Sequence, residues 1–391
     1  MEWNEAKNIK DNDYNLPGDW LKIEYFEALN ILFRIENSLR IFVFVILKNQ
    51  FKEKWKDLSV TSDDAENSTI GAIAKKRLSQ DKNYAYLGYV LNSPLLHLTS
   101  GELIRIITSD SYWKYFKDYF LGSREIIKNK LDEIGNVRNS LAHFRPIKKG
   151  DIDLVKQNSI HTLSEIEKTI SDLINCPDIV PTNTDDSWYK ELSTLGTENI
   201  KISFKQSINE KWIKLILTFE PPKLKAELVW KEYIIKLLNI KTNEILIQFP
   251  DLTKHIIFAT EVLPQLYTKD PDSLIIKKHI KLTLSKETIT KEFAELKTML
   301  EKILLQISEE INLIIEDNLA RGKIIEAISV RFIKNEEYYK GQRDVFKTRL
   351  DEKGPVEFWG MINIVFNNFL TNTDIYPWMP IEISDDKELP F

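Results

Sequence analysis

The sequence predicts an α+β chain of more than one domain, in which an N-terminal all-helical bundle is followed by a strand-rich module with long C-terminal helices. Two periodicities indicate this fold class. From about residue 20 to residue 173, apolar residues recur every three or four positions, which is typical of helices. After residue 199 they alternate at every second position, which is typical of strands. We therefore predict a helical domain over 1–175, a linker over 176–187 and a β-rich module over 188–391.

The helical domain is predicted to contain two helices that matter for function. The first is long: Leu29, Leu32, Glu36, Leu39 and Val43 share one face, and the helix runs on towards Trp55. The second begins near Ser123 and ends near Phe144, because Pro146 disfavours helical geometry in the residue before it. The other helices of this domain are predicted over 70–78, 84–90, 101–108 and 152–174.

The polar stretch around 175–187, NCPDIVPTNTDDS, contains two prolines and no apolar period, and so indicates a linker. Beyond it, the strands of the module fall within about 197–284. They are predicted over 199–205, 211–219, 225–238, 244–249, 255–260 and 273–284. Helices are expected over about 287–391, with a heptad-like stripe from Phe293 to Ile314 and a final helix over 356–369.

Composition excludes several classes of protein. The 391 residues include 54 basic and 59 acidic side chains, so the net charge of −5 does not fit a protein that coats nucleic acid. The single cysteine, Cys176, excludes an internal disulfide framework and a cysteine-based zinc site. The N-terminal residues lack the pattern of a signal peptide, and the longest apolar run, Ile41 to Leu47, is too short to span a membrane. We expect a cytoplasmic protein that does not bind membranes.

The segment 137–146, VRNSLAHFRP, carries the chemistry that the sequence reveals. It places Arg138, Asn139 and His143 in the last turns of one helix, whose negative end favours a protonated imidazole. Residues five apart lie roughly 140° apart around an ideal helix. Arg138 and His143 could converge on one point only if the helix ends at the histidine, or if a second copy of the chain completes the site.

The sequence RNSLAH at 138–143 resembles the Arg-x4–6-His motif of HEPN ribonucleases, in which an asparagine often follows the arginine. The stretch 28–47 is also similar to the first long helix of that family, which often turns an acidic or polar residue towards the active site. The resemblance covers about residues 20–175. It implies a metal-independent endoribonuclease, usually a homodimer whose two motifs pair in a cleft, of the kind common in prokaryotic toxin–antitoxin and phage-defence (abortive infection) systems.

The residue chemistry fits RNA cleavage without a metal or a cofactor. The 2′-hydroxyl of RNA supplies the nucleophile, His143 moves protons near neutral pH, and the fork of Arg138 stabilises charge on the phosphate. Asn139 would hold a phosphate oxygen or orient the histidine, and Arg145 would add a contact to the RNA backbone. The expected products carry 2′,3′-cyclic phosphate and 5′-hydroxyl ends.

Glu36 lies on the core-facing side of its helix, where an unpaired carboxylate would cost several kcal/mol. Its partner is either Arg138, which would bring it to the active site, or Arg40 one turn away. A structural interpretation of the motif pairs Arg138 with Asp132 or Glu133 and leaves His143 as a helix cap. The corresponding alternative function is a non-catalytic HEPN-like scaffold or sensor that binds a nucleotide, a nucleic acid or a protein.

The remaining features are interpreted as structural. The aromatic block 112–120 is predicted to be core rather than a stacking surface for RNA. The cluster Lys75-Lys76-Arg77 is predicted to be solvated, and the histidines at 97, 161, 255 and 279 show no metal-ligand spacing. The expected partners are RNA, a second copy of the chain through the helical domain, and an antitoxin or trigger protein that acts on the C-terminal module.

Overall fold

The computed structural model combines helices with antiparallel sheets, which confirms the α+β class. The structure describes residues 7–10, 13–15, 23–60, 69–81, 94–175, 180–182, 184–229, 232–262, 267–268, 275–317, 321–334, 346–349 and 357–358. Among these residues, no helix has the length and apolar character that a membrane crossing requires.

The described residues of the N-terminal region form helices and a short antiparallel hairpin. Strands β1 (Lys7–Lys10) and β2 (Asp13–Asn15) form that hairpin. The helices are α1 (Ile23–Phe51), α2 (Ile70–Asp81), α3 (Ser100–Thr108), α4 (Trp113–Phe116), α5 (Arg124–Ala142) and α6 (Lys149–Asn175). Short 3-10 helices cover Lys52–Asp57, Pro94–His97 and Lys117–Tyr119.

The second region begins with helix α7 (Ser187–Ser193) and contains two five-stranded antiparallel sheets. Its strands are β3 (Ile200–Gln206), β4 (Trp212–Phe219), β5 (Lys223–Val229), β6 (Glu232–Ile240), β7 (Phe258–Val262), β8 (Tyr267–Thr268), β9 (Lys278–Ser285), β10 (Ile325–Lys334), β11 (Phe346–Arg349) and β12 (Glu357–Phe358). One sheet has the order β5-β6-β10-β11-β8, and the other β12-β7-β9-β4-β3. Helices α8 (Thr242–Gln248), α9 (Pro250–Thr253) and α10 (Lys286–Glu316) complete the region.

Helix α1 is the central element of the N-terminal region. Every residue from Ile41 to Leu47 is at most 4% exposed, so this part of the helix is surrounded by other elements on all sides. Most of the buried apolar side chains form one continuous cluster that reaches from α1 to α10 and β10, and a small second cluster of Ile235, Leu237, Ile276 and Val330 lies apart from it. The helical region and the sheet region therefore share a core.

Three structural predictions for the second region were wrong. Residues 244–249 belong to helix α8, since a short apolar run does not distinguish a buried helix from a strand. The stretch 225–238 holds parts of two strands, β5 and β6, which pair as a hairpin. Residues 325–334, expected to be helical, form β10 and pair with β6 across the sheet. The helix predicted over 84–90 lies outside the described residues, as does most of the one predicted over 356–369, of which 357–358 form β12.

The aromatic block belongs to the core, as predicted, and so do several side chains of the second region. In the aromatic block, Phe116 and Phe120 are buried and their rings contact Phe42. Trp188 and Trp212 are buried in the core, whereas Trp230 lies outside the described residues. The stripe of α10 is buried from Leu296 to Ile314 within its own chain, which accounts for its heptad-like spacing without a partner helix.

Candidate active site at helices α1, α3 and α5

The carboxylate of Glu36 joins three helices. Its Oε2 accepts a hydrogen bond from Ser100 Oγ of α3 at 2.5 Å and another from Arg138 Nε of α5 at 3.0 Å. Its Oε1 accepts a hydrogen bond from Arg40, one turn further along α1. Both partners considered for Glu36 are therefore present, and the side chain is only 12% exposed.

All three nitrogens of the Arg40 guanidinium donate hydrogen bonds within the chain. Its Nη1 donates to Asn37 Oδ1 at 2.9 Å, and its Nε and Nη2 donate to the carbonyl oxygens of Leu95 and Leu98 at 3.0 and 3.1 Å. The side chain is 11% exposed. With its donors engaged in this way, Arg40 acts as a fixed counter-charge for Glu36 and has little capacity left for a substrate.

The charges around Glu36 keep it ionised. Burial by itself raises the pKa of a carboxyl group, but the charge of Arg40, the hydrogen bond from Ser100 and the charge of Arg138 together lower the pKa of Glu36 below its usual value. A permanently charged carboxylate at this position holds Arg138 in place through Nε.

Arg138 differs from Arg40 because only one edge of its guanidinium is used. Within the described part of the chain, its hydrogen bond goes from Nε to Glu36, while Nη1 and Nη2 donate to no side chain or carbonyl. The side chain is 35% exposed. The small cavity that Glu36, Ser100 and Arg138 line encloses about 20 Å³, room for a single water. A phosphate would therefore meet Arg138 from the open side.

Helix α5 ends at the motif in a Schellman arrangement. The amide of Phe144 donates to the carbonyl of Leu141 at 3.0 Å, and that of Arg145 donates to Ser140 at 2.8 Å. Phe144 takes the left-handed conformation with φ of 54°, which most helices assign to glycine, and it is 89% exposed. His143 is the cap residue, so the helix ends where convergence with Arg138 requires.

The rest of the motif lies on the surface. Asn139, His143 and Arg145 are exposed, and the backbone carbonyl of Arg145 accepts a hydrogen bond from Tyr25 at the start of α1. Arg138 lies beside Glu36 and Arg145 beside Tyr25, so α1 runs antiparallel to the end of α5 and flanks the motif throughout. Asn139, His143 and Arg145 are thus open to solvent, and Arg138 is half-buried beside Glu36.

The structural interpretation of Arg138 is wrong in its choice of partners. Asp132 accepts a hydrogen bond from Lys128 at 2.6 Å, and Glu133 accepts one from Asn158 at 2.6 Å. Both acids belong to the same helix as Arg138, yet they pair elsewhere. The partner that holds Arg138 is the one 102 residues away in sequence.

Two polar residues near the site were missed or misread from the sequence. Ser100 was not recognised, although the spacing Thr99-x-x-Glu102 is that of a capping box, and the structure forms one there. Arg77 was expected to be solvated, but it donates to both carboxylate oxygens of Glu102, at 2.7 and 2.8 Å. This bidentate pair ties α2 to the start of α3 and so supports the position of Ser100.

Among the other histidines, His255 stands out because it is 2% exposed. Burial lowers the pKa of its imidazole, in spite of the nearby charge of Glu292. His279 Nδ1 lies 3.2 Å from Thr218 Oγ1, and His161 is exposed on α6.

No protein-family model, curated protein or solved structure matches this chain. The resemblance to HEPN ribonucleases therefore depends on the sequence alone, on RNSLAH at 138–143 and on the stretch 28–47.

Proposed function

We propose that this chain is a metal-independent endoribonuclease of the HEPN type, in which Arg138 and His143 cleave RNA. His143 takes the proton from the 2′-hydroxyl and returns one to the leaving 5′-oxygen, while Arg138 stabilises the charge that develops on the phosphate. Asn139 and Arg145 hold the RNA backbone. The products are a 2′,3′-cyclic phosphate and a 5′-hydroxyl, and the biological role is that of a toxin or an abortive-infection effector.

The observation that supports this function best is the state of the Arg138 guanidinium. Glu36 fixes it through Nε, and the two terminal nitrogens, which match two phosphate oxygens, have no hydrogen-bond partner among the described residues, while the side chain is 35% exposed. An arginine that served only to neutralise Glu36 would be redundant, because Arg40 already does so. The arrangement suits a preorganised phosphate contact.

The proposal includes a homodimer. Arg138 and His143 are five residues apart, a rise of about 7.5 Å along a helix, and His143 is exposed while Arg138 is half-buried beside Glu36. A second copy placed against the end of α5 would bring the two motifs face to face and close a cleft around the scissile phosphate. The exposed ring of Phe144 beside His143 is suited to such a contact.

The test is incubation of the purified chain with mixed cellular RNA in EDTA. The wild-type chain should cleave, and His143→Ala should lose at least 100-fold in rate while it keeps its fold and its oligomeric state. His161→Ala is the matched control, because it removes an exposed histidine from the neighbouring helix α6 and should cleave like the wild type.

The alternative function is a non-catalytic scaffold or sensor. In that case the contact between Glu36 and Arg138 serves only to hold the helices together. This alternative predicts that neither the wild type nor the variants cleave RNA. Cleavage that is equal in the wild type and His143→Ala would also contradict the proposal.

A further inference from the structure

A second polar cluster lies where the helical region meets the sheet region. His255 follows helix α9, and Glu292 and Glu295 lie three residues apart on one side of helix α10. One nitrogen or oxygen atom from each of the three side chains can be chosen so that all three atoms lie within 4.8 Å of one another. Lys52, just after α1, and Lys254 flank the cluster.

His255 is buried with its hydrogen-bonding capacity unused. Its side chain is 2% exposed, and neither ring nitrogen has a hydrogen bond among the described residues. Nε2 lies 3.2 Å from Glu292 Oε2, but this contact lacks the geometry of a hydrogen bond. A buried imidazole without a hydrogen bond is destabilising, unless something outside the chain binds to it.

The backbone of α10 departs from helical geometry at the residue that faces this imidazole. Glu292 has φ of −116° and ψ of 20°, whereas the turns on either side are helical. Glu295 is on the surface side of the cluster and 50% exposed, so its carboxylate can move. The cluster thus combines a buried nitrogen with two carboxylates that reach it from solvent.

We propose that His255, Glu292 and Glu295 bind one divalent transition-metal ion, with Zn²⁺ as the best match. One imidazole and two carboxylates give three nitrogen and oxygen ligands, and water completes the tetrahedron. Ligands about 2.0 Å from zinc lie about 3.3 Å apart. Glu292 is already at this distance from the imidazole, so the remaining separations, of at most 4.8 Å, need to close by up to about 1.5 Å. Mg²⁺ and Ca²⁺ fit less well, because they prefer oxygen ligands alone.

The flanking lysines act as competitors of the ion. Lys254 Nζ lies 3.1 Å from Glu295 Oε1 and 3.7 Å from Asp251 Oδ1. When the ion binds Glu295, Lys254 can therefore pair with Asp251 instead. Lys52 Nζ already donates to Thr288 Oγ1 at 2.8 Å. Binding would tie the end of α9 to α10, so the ion would stabilise the fold where the two regions meet.

The ion is separate from the proposed cleavage site. Glu36 precedes Lys52 by 16 residues, or about 24 Å along a helix. The metal site therefore lies apart from the proposed cleavage site, and the inference does not depend on the proposed ribonuclease activity.

The experiment is calorimetric titration of the full chain, freed of metal, with Zn²⁺ alone and with Mg²⁺ alone. The wild type should bind one Zn²⁺ per chain, at least tenfold more tightly than Mg²⁺, with a rise in Tm. Glu292→Gln and Glu295→Gln should each weaken Zn²⁺ binding at least tenfold. Glu301→Gln is the matched control, since it removes one exposed acid from the same helix and should leave binding unchanged.

A further variant distinguishes the metal site from a network of ion pairs. Lys254→Gln removes a competing ammonium group and should tighten Zn²⁺ binding severalfold. The proposal is overturned if Zn²⁺ does not bind with one-to-one stoichiometry, if Mg²⁺ binds equally well, or if Glu295→Gln binds as the wild type does. Glu295→Gln should cleave RNA as the wild type does, so that a failure of the metal site and a failure of the proposed ribonuclease activity can be told apart.

Discussion

The helical region and the sheet region each bury a polar group, and they treat it differently. Glu36 accepts hydrogen bonds from Ser100, Arg40 and Arg138, whereas His255 has no hydrogen bond to its ring within the described residues. A group that the chain's own cations satisfy fixes three helices against one another. A group without such partners retains the capacity to bind an external ion. We therefore expect substitution of Glu36 to lower the stability of the fold, and substitution in the His255 cluster to weaken the binding of an ion.

The largest effect on stability is expected for Glu36→Ala. It leaves the buried guanidinium of Arg40 without its counter-charge, so the free energy of unfolding should fall by about 3–5 kcal/mol in urea denaturation. Glu27→Ala is the control, because Glu27 pairs with Lys156 at the surface and should cost at most about 1 kcal/mol. Equal losses in the two variants would show that the buried contacts of Glu36 contribute no more to stability than a surface ion pair does.

Arg138→Met should separate stability from catalysis. Arg40 and Ser100 still satisfy Glu36, so the free energy of unfolding should fall by only about 1 kcal/mol. RNA cleavage should fall 100-fold or more, and Arg138→Lys should not restore it, because an ammonium group lacks the fork. Full activity in Arg138→Lys would show that a positive charge alone is sufficient.

The contribution of Glu36 to stability should depend on pH. Because the folded chain lowers the pKa of Glu36 below 4.5, its ionised form stabilises the fold above that pH, and this contribution is lost as the pH falls through the lowered value. The difference in unfolding free energy between the wild type and Glu36→Gln should therefore be largest near pH 7 and shrink below about pH 4. A difference that stays constant from pH 7 to pH 3 would contradict this assignment.

The smallest effect is expected at the end of α5. Phe144→Gly should raise the stability of dilute protein by about 0.5–1 kcal/mol, because glycine adopts positive φ without the steric cost that phenylalanine pays. If Phe144 contributes to the dimer, the same variant should dimerise more weakly in analytical ultracentrifugation. Unchanged dimerisation would exclude the ring from the interface.

Local patterns allowed much of the candidate site to be predicted. The stripe on α1, the start of α5 after Ser123 and its end before Pro146 all follow from spacing and from proline chemistry. The need of Glu36 for a cationic partner followed from the cost of an unpaired carboxylate on a core-facing stripe, and the two candidates, Arg138 and Arg40, both pair with it. In these cases one short segment contains the physical constraint.

Contacts between distant segments could not be predicted in this way. Ser100 meets Glu36 across 64 residues, and His255 meets Glu292 through a kink that no residue pattern marks. Strand β10 was missed because its partner, β6, lies far earlier in the chain. In each case packing against a remote element determines the contact or the secondary structure, and a local sequence pattern does not indicate which element that is.

The most direct test of the central claim is an analysis of the RNA ends produced in EDTA by the wild type and by His143→Ala. We predict 2′,3′-cyclic phosphate and 5′-hydroxyl ends from the wild type and no products from the variant. RNA ends with 5′-phosphate that form in the presence of Mg²⁺ but not in EDTA would contradict metal-independent cleavage by Arg138 and His143. So would identical products from both proteins.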